Sequence, residues 1–279
     1  MENDLRNMKI AAVQMVSGMR LDKNLSAAQR LIGEAVEQGA ELILLPEYFG
    51  SLGASLTDRR RLREQDNDGA QQRFLAETAK KHHIWLVGGC VPIIGNDPDR
   101  SRSACLVYNP NGERIARYDK IHLFRFSYGD EAYDEADLIE AGDIEPVAFD
   151  APCGRVALSI CYDLRFPELY RALASSPDGI TLILMPAAFT YTTGRAHWEV
   201  LLRARAIENQ CYVLAAAQGG VHENGRQTFG CSMLINPWGE IVNGLAEGEG
   251  VVCAEINIEQ MLDARARLPA LKHRRLTHA

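Results

Sequence analysis

The octapeptide Leu42-Ile43-Leu44-Leu45-Pro46-Glu47-Tyr48-Phe49 returns 140 positions later as Leu182-Ile183-Leu184-Met185-Pro186-Ala187-Ala188-Phe189. Each copy is an apolar run of the length of a buried strand, with a proline near its C-terminal end. At an offset of 127, Asn109-Pro110-Asn111-Gly112-Glu113 falls on Asn236-Pro237-Trp238-Gly239-Glu240, and Trp85-Leu86-Val87 on Tyr212-Val213-Leu214. Outward from these anchors the first half reads as strand Lys9–Gln14, helix Leu25–Gln38, strand Leu42–Leu45, helix Ala70–Lys81 and strand Ile84–Cys90. A hairpin follows, Ser103–Asn109 with Arg114–Tyr118, closed by Pro-Asn-Gly. After a polar stretch, Phe126–Asp143, the pattern restarts: strand Val156–Ile160, helix Pro167 to Ala174, strand Thr181–Met185, helix Ala196 to Asn209, strand Tyr212–Ala217 and a second hairpin. Each half builds a sheet with helices on one face. Pressing the two bare faces together predicts an α/β fold, a four-layer αββα sandwich of two mixed sheets with an internal pseudo-repeat, in a single domain over residues 1–279.

Composition bounds the function. The 279 residues carry 30 Lys+Arg against 37 Asp+Glu, a formal net charge of −7, and 47% are hydrophobic. Disorder is excluded as the main theme, and a nucleic-acid partner held through its phosphates is disfavoured. No apolar run of signal length precedes Met8 and no stretch of about 18 apolar residues occurs, so neither secretion nor a membrane partner is expected. Seven cysteines, an odd number without any C-x-x-C, point to a reduced, cytoplasmic chain with no cysteine-based metal site. The histidines His82, His83, His197, His222, His273 and His278 offer no metal-ligand spacing, and no phosphate-cradling glycine loop is present. No cofactor is expected.

The repeat makes asymmetry visible. Glu47 stands where the second half has Ala187, at a strand's C-terminal end, where open α/β sheets place their ligand crevice. Cys161 follows strand Val156–Ile160 and precedes Tyr-Asp-Leu-Arg-Phe-Pro. It is either an exposed thiol whose pKa a helix dipole lowers, or a buried structural cysteine, as the contexts of Cys90, Cys105, Cys211 and Cys253 suggest for those four. Lys120, in Arg-Tyr-Asp-Lys-Ile-His-Leu-Phe, is either a rim cation for an oxyanion or a solvated surface lysine. His122 is either a Cys–His partner or a structural histidine. In the helix ending at Asn209, Trp198, Leu201, Leu202 and Ile207 form a packing face, with Arg203, Arg205 and Glu208 as ion partners.

Glu47 after Leu-Leu-Pro, Lys120 in Tyr-Asp-Lys-Ile-His-Leu-Phe, and Cys161 in Ile-Cys-Tyr-Asp-Leu-Arg-Phe-Pro-Glu-Leu together resemble, in that order, the Glu-Lys-Cys triad of the nitrilase superfamily of carbon–nitrogen hydrolases. The resemblance runs from about Lys9 to Arg275. It implies the same αββα sandwich, a homodimer or larger homo-oligomer, and a small-molecule amide as substrate. It assigns Glu47 as general base, Lys120 as oxyanion donor and Cys161 as nucleophile. The superfamily's second glutamate is placed at Glu135 from its spacing to Gly142, with Glu131 and Glu140 as alternatives. The Cys161 motif and Thr193-Gly-Arg-Ala-His-Trp-Glu-Val-Leu-Leu-Arg-Ala-Arg-Ala-Ile-Glu-Asn-Gln-Cys-Tyr-Val look most like the branch acting on deaminated glutathione. The ω-amidases of α-ketoglutaramate, the N-carbamoyl amidohydrolases and the true nitrilases are the alternatives.

The implied reaction releases ammonia from a carboxylate-bearing amide through a thioester, with the Tyr162 backbone N–H as second oxyanion donor. Arg165 would grip a substrate carboxylate, and Arg195 with Tyr191 or Thr192 the far end. Arg195, where many relatives have Pro, and the loop Arg125–Asp134 depart from the pattern. A non-catalytic sandwich module and a thiol redox protein using Cys161 are the rivals from other classes.

Overall fold

Alternation along β1 sets the layers. The computed structural model describes residues 5–53, 60–129, 131–175 and 179–276, with only the backbone of Glu131 described, so His278 and Asp130 lie outside the described residues. The first half runs β1 (Met8–Gln14), α1 (Leu21–Glu37), β2 (Leu42–Leu44), α2 (Ala70–His82), β3 (Trp85–Ile94), β4 (Ser101–Tyr108) and β5 (Arg114–Asp119). The polar stretch resolves into a hairpin, β6 (Arg125–Tyr128) and β7 (Glu131–Asp134), and a 3-10 turn at Glu135–Asp137. The second half runs β8 (Ala148–Ala151), β9 (Gly154–Leu158), α3 (Pro167–Ala174), β10 (Leu182–Ala187), α4 (Tyr191–Asn209), β11 (Tyr212–Ala217), the hairpin β12 (Gly219–Val221) and β13 (Gln227–Phe229), β14 (Ser232–Ile235) and β15 (Ile241–Leu245). β16 (Gly250–Ile256) and α5 (Ile258–Arg267) follow.

The two six-stranded sheets have one plan, β16-β1-β2-β3-β4-β5 and β8-β9-β10-β11-β14-β15. In each, three parallel strands are flanked by an antiparallel strand on one side and an antiparallel hairpin on the other. The turns repeat down to the atom. Asn109 Oδ1 accepts from the N–H groups of Asn111 and Glu113 at 3.0 Å each, and Asn236 Oδ1 accepts from those of Trp238 and Glu240 at 3.0 Å each. Gly112 and Gly239 close them at φ +80° and +85°, the left-handed region where a side chain is costly.

On β1, Ala11 and Val13 pack with Leu31 and Ile32 of α1 and Leu75 of α2, while Ile10 and Ala12 pack with Leu42, Leu44 and Val87 in the core shared with the second sheet. β1 lies across β11. The architecture is therefore the sandwich of two mixed sheets with helices outside that the repeat predicts. On α4, Trp198 and Leu202 are fully buried, and Arg205 pairs with Glu208 at 2.8 Å and Arg203 with Glu199 at 3.2 Å. Ile207 departs from the expected packing face and is 49% exposed. Among the described residues no helix is long and apolar enough to cross a membrane.

Two glutamines stitch the halves together at the strand ends. Gln14 Oε1 accepts from the Ser232 N–H at 2.9 Å, and Gln218 Nε2 donates to Ser17 Oγ at 2.8 Å and to the Glu47 carbonyl at 3.0 Å. Beyond β2, Glu47 bonds Lys120 after β5 and Ala188 after β10, which brings those three strand ends together.

Candidate active site

Glu47 stands three residues past β2, beyond a proline, and the next residue, Tyr48, takes φ +59° to turn the chain. The carboxylate is 1% exposed. Its Oε2 accepts from the Ala188 N–H at 2.9 Å, a donor from the matching strand end of the other half, and its Oε1 accepts from Lys120 Nζ at 2.9 Å. Both oxygens are oriented, and each keeps a lone pair for a further proton.

Lys120 is the first residue after β5, tied back by its own N–H to the Ser103 carbonyl at 2.9 Å. It is not a surface lysine: its relative exposure is 0%. Nζ also donates to Glu135 Oε2 at 2.8 Å, and Glu135 is held in turn by the Phe124 N–H at 2.8 Å and the Tyr48 hydroxyl at 2.8 Å. Gly142 explains the spacing, since a Cβ there would lie 2.2 Å from the Asp119 carbonyl oxygen, against the residue that precedes Lys120. Of the alternatives, Glu140 pairs with Arg102 at 3.0 Å away from the lysine, and the Glu131 side chain lies outside the described residues. Burial alone would lower the Lys120 pKa, but Glu135 and Glu47 overturn it and hold the ammonium well above the usual lysine range.

Cys161 opens a 3-10 turn, Cys161–Arg165, that precedes α3, and its φ of +48° is one that L-residues adopt at a cost of order 1 kcal/mol. Asp163, fully buried, braces the turn: Oδ2 accepts from the Ile160 N–H at 2.8 Å and the Tyr118 hydroxyl at 2.7 Å, and Oδ1 sits 2.7 Å from His122 Nδ1. His122 also stacks on Phe166 at 3.7 Å between ring centres, so it serves Asp163 and the turn rather than forming a Cys–His pair.

The thiol itself corrects an expectation. It is 7% exposed, and burial pushes its pKa well up, with Glu47 adding to the effect and Lys120 opposing it. The lowering expected from a helix dipole loses to desolvation and a neighbouring carboxylate. The difference in ultraviolet thiolate absorbance between the protein and its Cys161→Ala variant should therefore stay flat through pH about 8.5 and rise only above it. A step near neutrality would contradict this environment.

The pocket over Cys161, about 300 Å³ including the part open to solvent, is lined by Glu47, Tyr48, Phe124, Glu135, Tyr162, Arg165, Phe189 and Arg226 among others. Arg165 stands over Tyr162 and Phe189, its Cζ 5.8 and 5.5 Å from their ring centres, with Nη1 3.2 Å from His197 Nδ1. The far-end candidates are corrected. Thr190 caps α4 by accepting from the Thr193 N–H, so the helix begins at Tyr191 instead of Ala196. That phase turns Thr190 and Thr193 to the pocket. Tyr191 packs edge-on against Phe229 and Arg195 is exposed, and neither they nor Thr192 line the cavity. Arg226 was not legible in the sequence, where His-Glu-Asn-Gly-Arg reads as an ordinary polar turn.

The model of the carbon–nitrogen hydrolase family matches residues 9–266. Deaminated glutathione amidase of Synechocystis sp. is 41% identical over 268 residues, covering 95% of this chain and 97% of that one. Omega-amidase NIT2 of Danio rerio is 37% identical over 274 residues, covering 97% and 96%. The crystal structure of Saccharomyces cerevisiae Nit3, a member of branch 10 of the nitrilase superfamily, superposes with a TM-score of 0.86 at 29% identity over 97% of both chains.

Proposed function

Because the chain belongs to the carbon–nitrogen hydrolase family and is an amidase, we propose that it acts as one domain on carboxylate-bearing amides, deaminated glutathione first, through a thioester on Cys161. The observation that carries this reading is the buried Glu47–Lys120–Glu135 chain of charges set against the Cys161 thiol. Glu47 takes the thiol proton as sulfur attacks the amide carbon, so no standing thiolate is required. The negative charge that develops on the carbonyl oxygen falls to the Lys120 ammonium and the Tyr162 backbone N–H. Glu47 returns the proton to the departing nitrogen, then takes one from a water that attacks the thioester, and free carboxylic acid and thiol are restored. Glu135 keeps Lys120 charged and in place. No step calls for a metal or a cofactor.

Arg165 holds the 2-oxo acid carboxylate in this reading, supported by its place at the pocket with two aromatic rings beside its guanidinium. The leaving group follows from the substrate. Glutathione's γ-linkage joins its glutamyl part to cysteinylglycine, so that dipeptide leaves from deaminated glutathione, and the ammonia expected from the sequence leaves only from a primary amide such as α-ketoglutaramate. We further propose a homodimer or larger homo-oligomer, supported by exposed Val200 and Ile207 of α4, with Ile207 lying against the turn at Gly239 that also carries exposed Trp238. A cytoplasmic setting is supported by seven cysteines that are all free thiols.

The test measures cysteinylglycine release from deaminated glutathione beside ammonia release from α-ketoglutaramate. We expect kcat/KM to favour deaminated glutathione by about tenfold or more, 1.4 kcal/mol in transition-state binding. The reverse preference would make the chain an ω-amidase, and turnover of neither would overturn the substrate assignment.

A further inference from the structure

The proposed chemistry uses Glu47, Lys120, Cys161 and Arg165 and leaves Arg226 without a task. Arg226 stands in the turn between β12 and β13 and reaches the pocket wall. Its Nη2 donates to the Ala188 carbonyl at 3.3 Å and its Cζ lies 5.1 Å from the centre of the Tyr133 ring on β7. Its Nε is buried and has no hydrogen-bond partner among the described residues. The two acids that line the pocket, Glu47 and Glu135, both pair with Lys120, and among the described residues Arg226 has no salt bridge. A buried, charged donor left unmade is costly, and such a cost kept at a pocket wall marks a group that a ligand satisfies. The contact with the Tyr133 ring uses none of the guanidinium's N–H groups, so Nε–H stays available.

The direction of that edge follows from Ala188. Its N–H orients Glu47 and its carbonyl accepts from Arg226, so a single residue links the two groups. Glu47 delivers the proton to the departing nitrogen, so the leaving group lies on its side of the pocket. Arg165 instead stands over Phe189 and over Tyr162, the residue next to the nucleophile. We infer that Arg226 binds a second carboxylate, carried by the leaving group, and that the pocket thereby selects amides with one carboxylate on each side of the scissile bond. This rests on the amidase reading and deepens it. Deaminated glutathione has both carboxylates, the second on its terminal glycine, whereas α-ketoglutaramate has ammonia as its leaving group and offers Arg226 nothing.

The test is calorimetric binding to the Cys161→Ala protein, which cannot form the thioester, of deaminated glutathione and of its C-terminal carboxamide. The free acid should bind about tenfold tighter or more, and Arg226→Gln should shrink that difference to below about threefold, with Arg226→Lys in between because a point charge replaces the planar fork. Persistence of the preference in Arg226→Gln, or its absence when Arg226 is present, overturns the inference. An equal loss of both ligands also overturns it, since that is what a merely structural arginine would produce. If neither ligand binds to a protein that retains Arg226, the substrate reading falls and takes this inference with it, an outcome distinct from equal binding of the two.

Discussion

Cys161→Ala should lower kcat for amide hydrolysis by about 10⁴-fold or more while the melting temperature moves by only a few degrees. The loss is large because no other group in the pocket can accept the acyl chain: Glu47 and Glu135 are committed to Lys120, and the hydroxyls of Thr190 and Thr193 are within hydrogen-bond reach of one another at 2.9 Å. The fold is spared because the thiol makes a small part of the core, and alanine tolerates the turn that Asp163 braces through Ile160, Tyr118 and His122. Mass spectrometry of the quenched reaction should find the acyl group on Cys161 in the parent protein and nowhere in the variant. Substantial turnover by Cys161→Ala would sink the thioester route.

Lys120→Met should be worse for the protein as a whole. Methionine fills much of the volume but leaves Glu47 and Glu135, 1% and 12% exposed at the side chain, facing each other without their cation. Removing one partner of a buried ion network costs about 3–5 kcal/mol, and here the oxyanion donor goes as well. The pH dependence separates the two effects. In the parent the Lys120 pKa is raised, so its contribution is complete below the ordinary lysine range and is lost only as pH climbs through the alkaline folded value. In the variant the unpaired, buried carboxylates should instead have raised pKa values, giving stability that is present in acid and falls as pH rises from about 4 toward 7. Chemical denaturation across that range should show the variant weakening while the parent holds. The double variant Lys120→Met/Glu135→Gln should regain part of the stability and none of the activity, and a Lys120→Met protein as stable as its parent at neutral pH would contradict the buried network.

Much of this was readable from residues. The sandwich followed from two copies of Leu-Ile-Leu-x-Pro and two Asn-Pro-x-Gly-Glu turns, because a duplicated βαβ unit has one bare sheet face to hide and the other copy to hide it against. Glu47 stood out because its counterpart is Ala187, whereas Glu135 came only from the superfamily resemblance and its spacing to Gly142, with Glu131 and Glu140 left open. Local reading failed where position depends on what folds over it. The Thr190 cap shifted α4 by five residues and with it the faces of Tyr191, Thr192 and Arg195. The raised Cys161 pKa depends on burial and then on a carboxylate brought in from the other half, and the place of Arg226 on how the hairpin of β12 and β13 packs. A turn sequence carries no sign of either.

The bonds that hold Glu47 link residues 73, 141 and 171 positions apart in the chain, to Lys120, Ala188 and Gln218. During synthesis the thiol of Cys161 thus emerges before two of the three groups that orient its base have been made. A nascent or half-assembled chain carries an ordinary cysteine with no general base aimed at it. Only the docking of the second sheet on the first arms the nucleophile, so a chain interrupted partway through translation has no means of acylating itself on the amides around it.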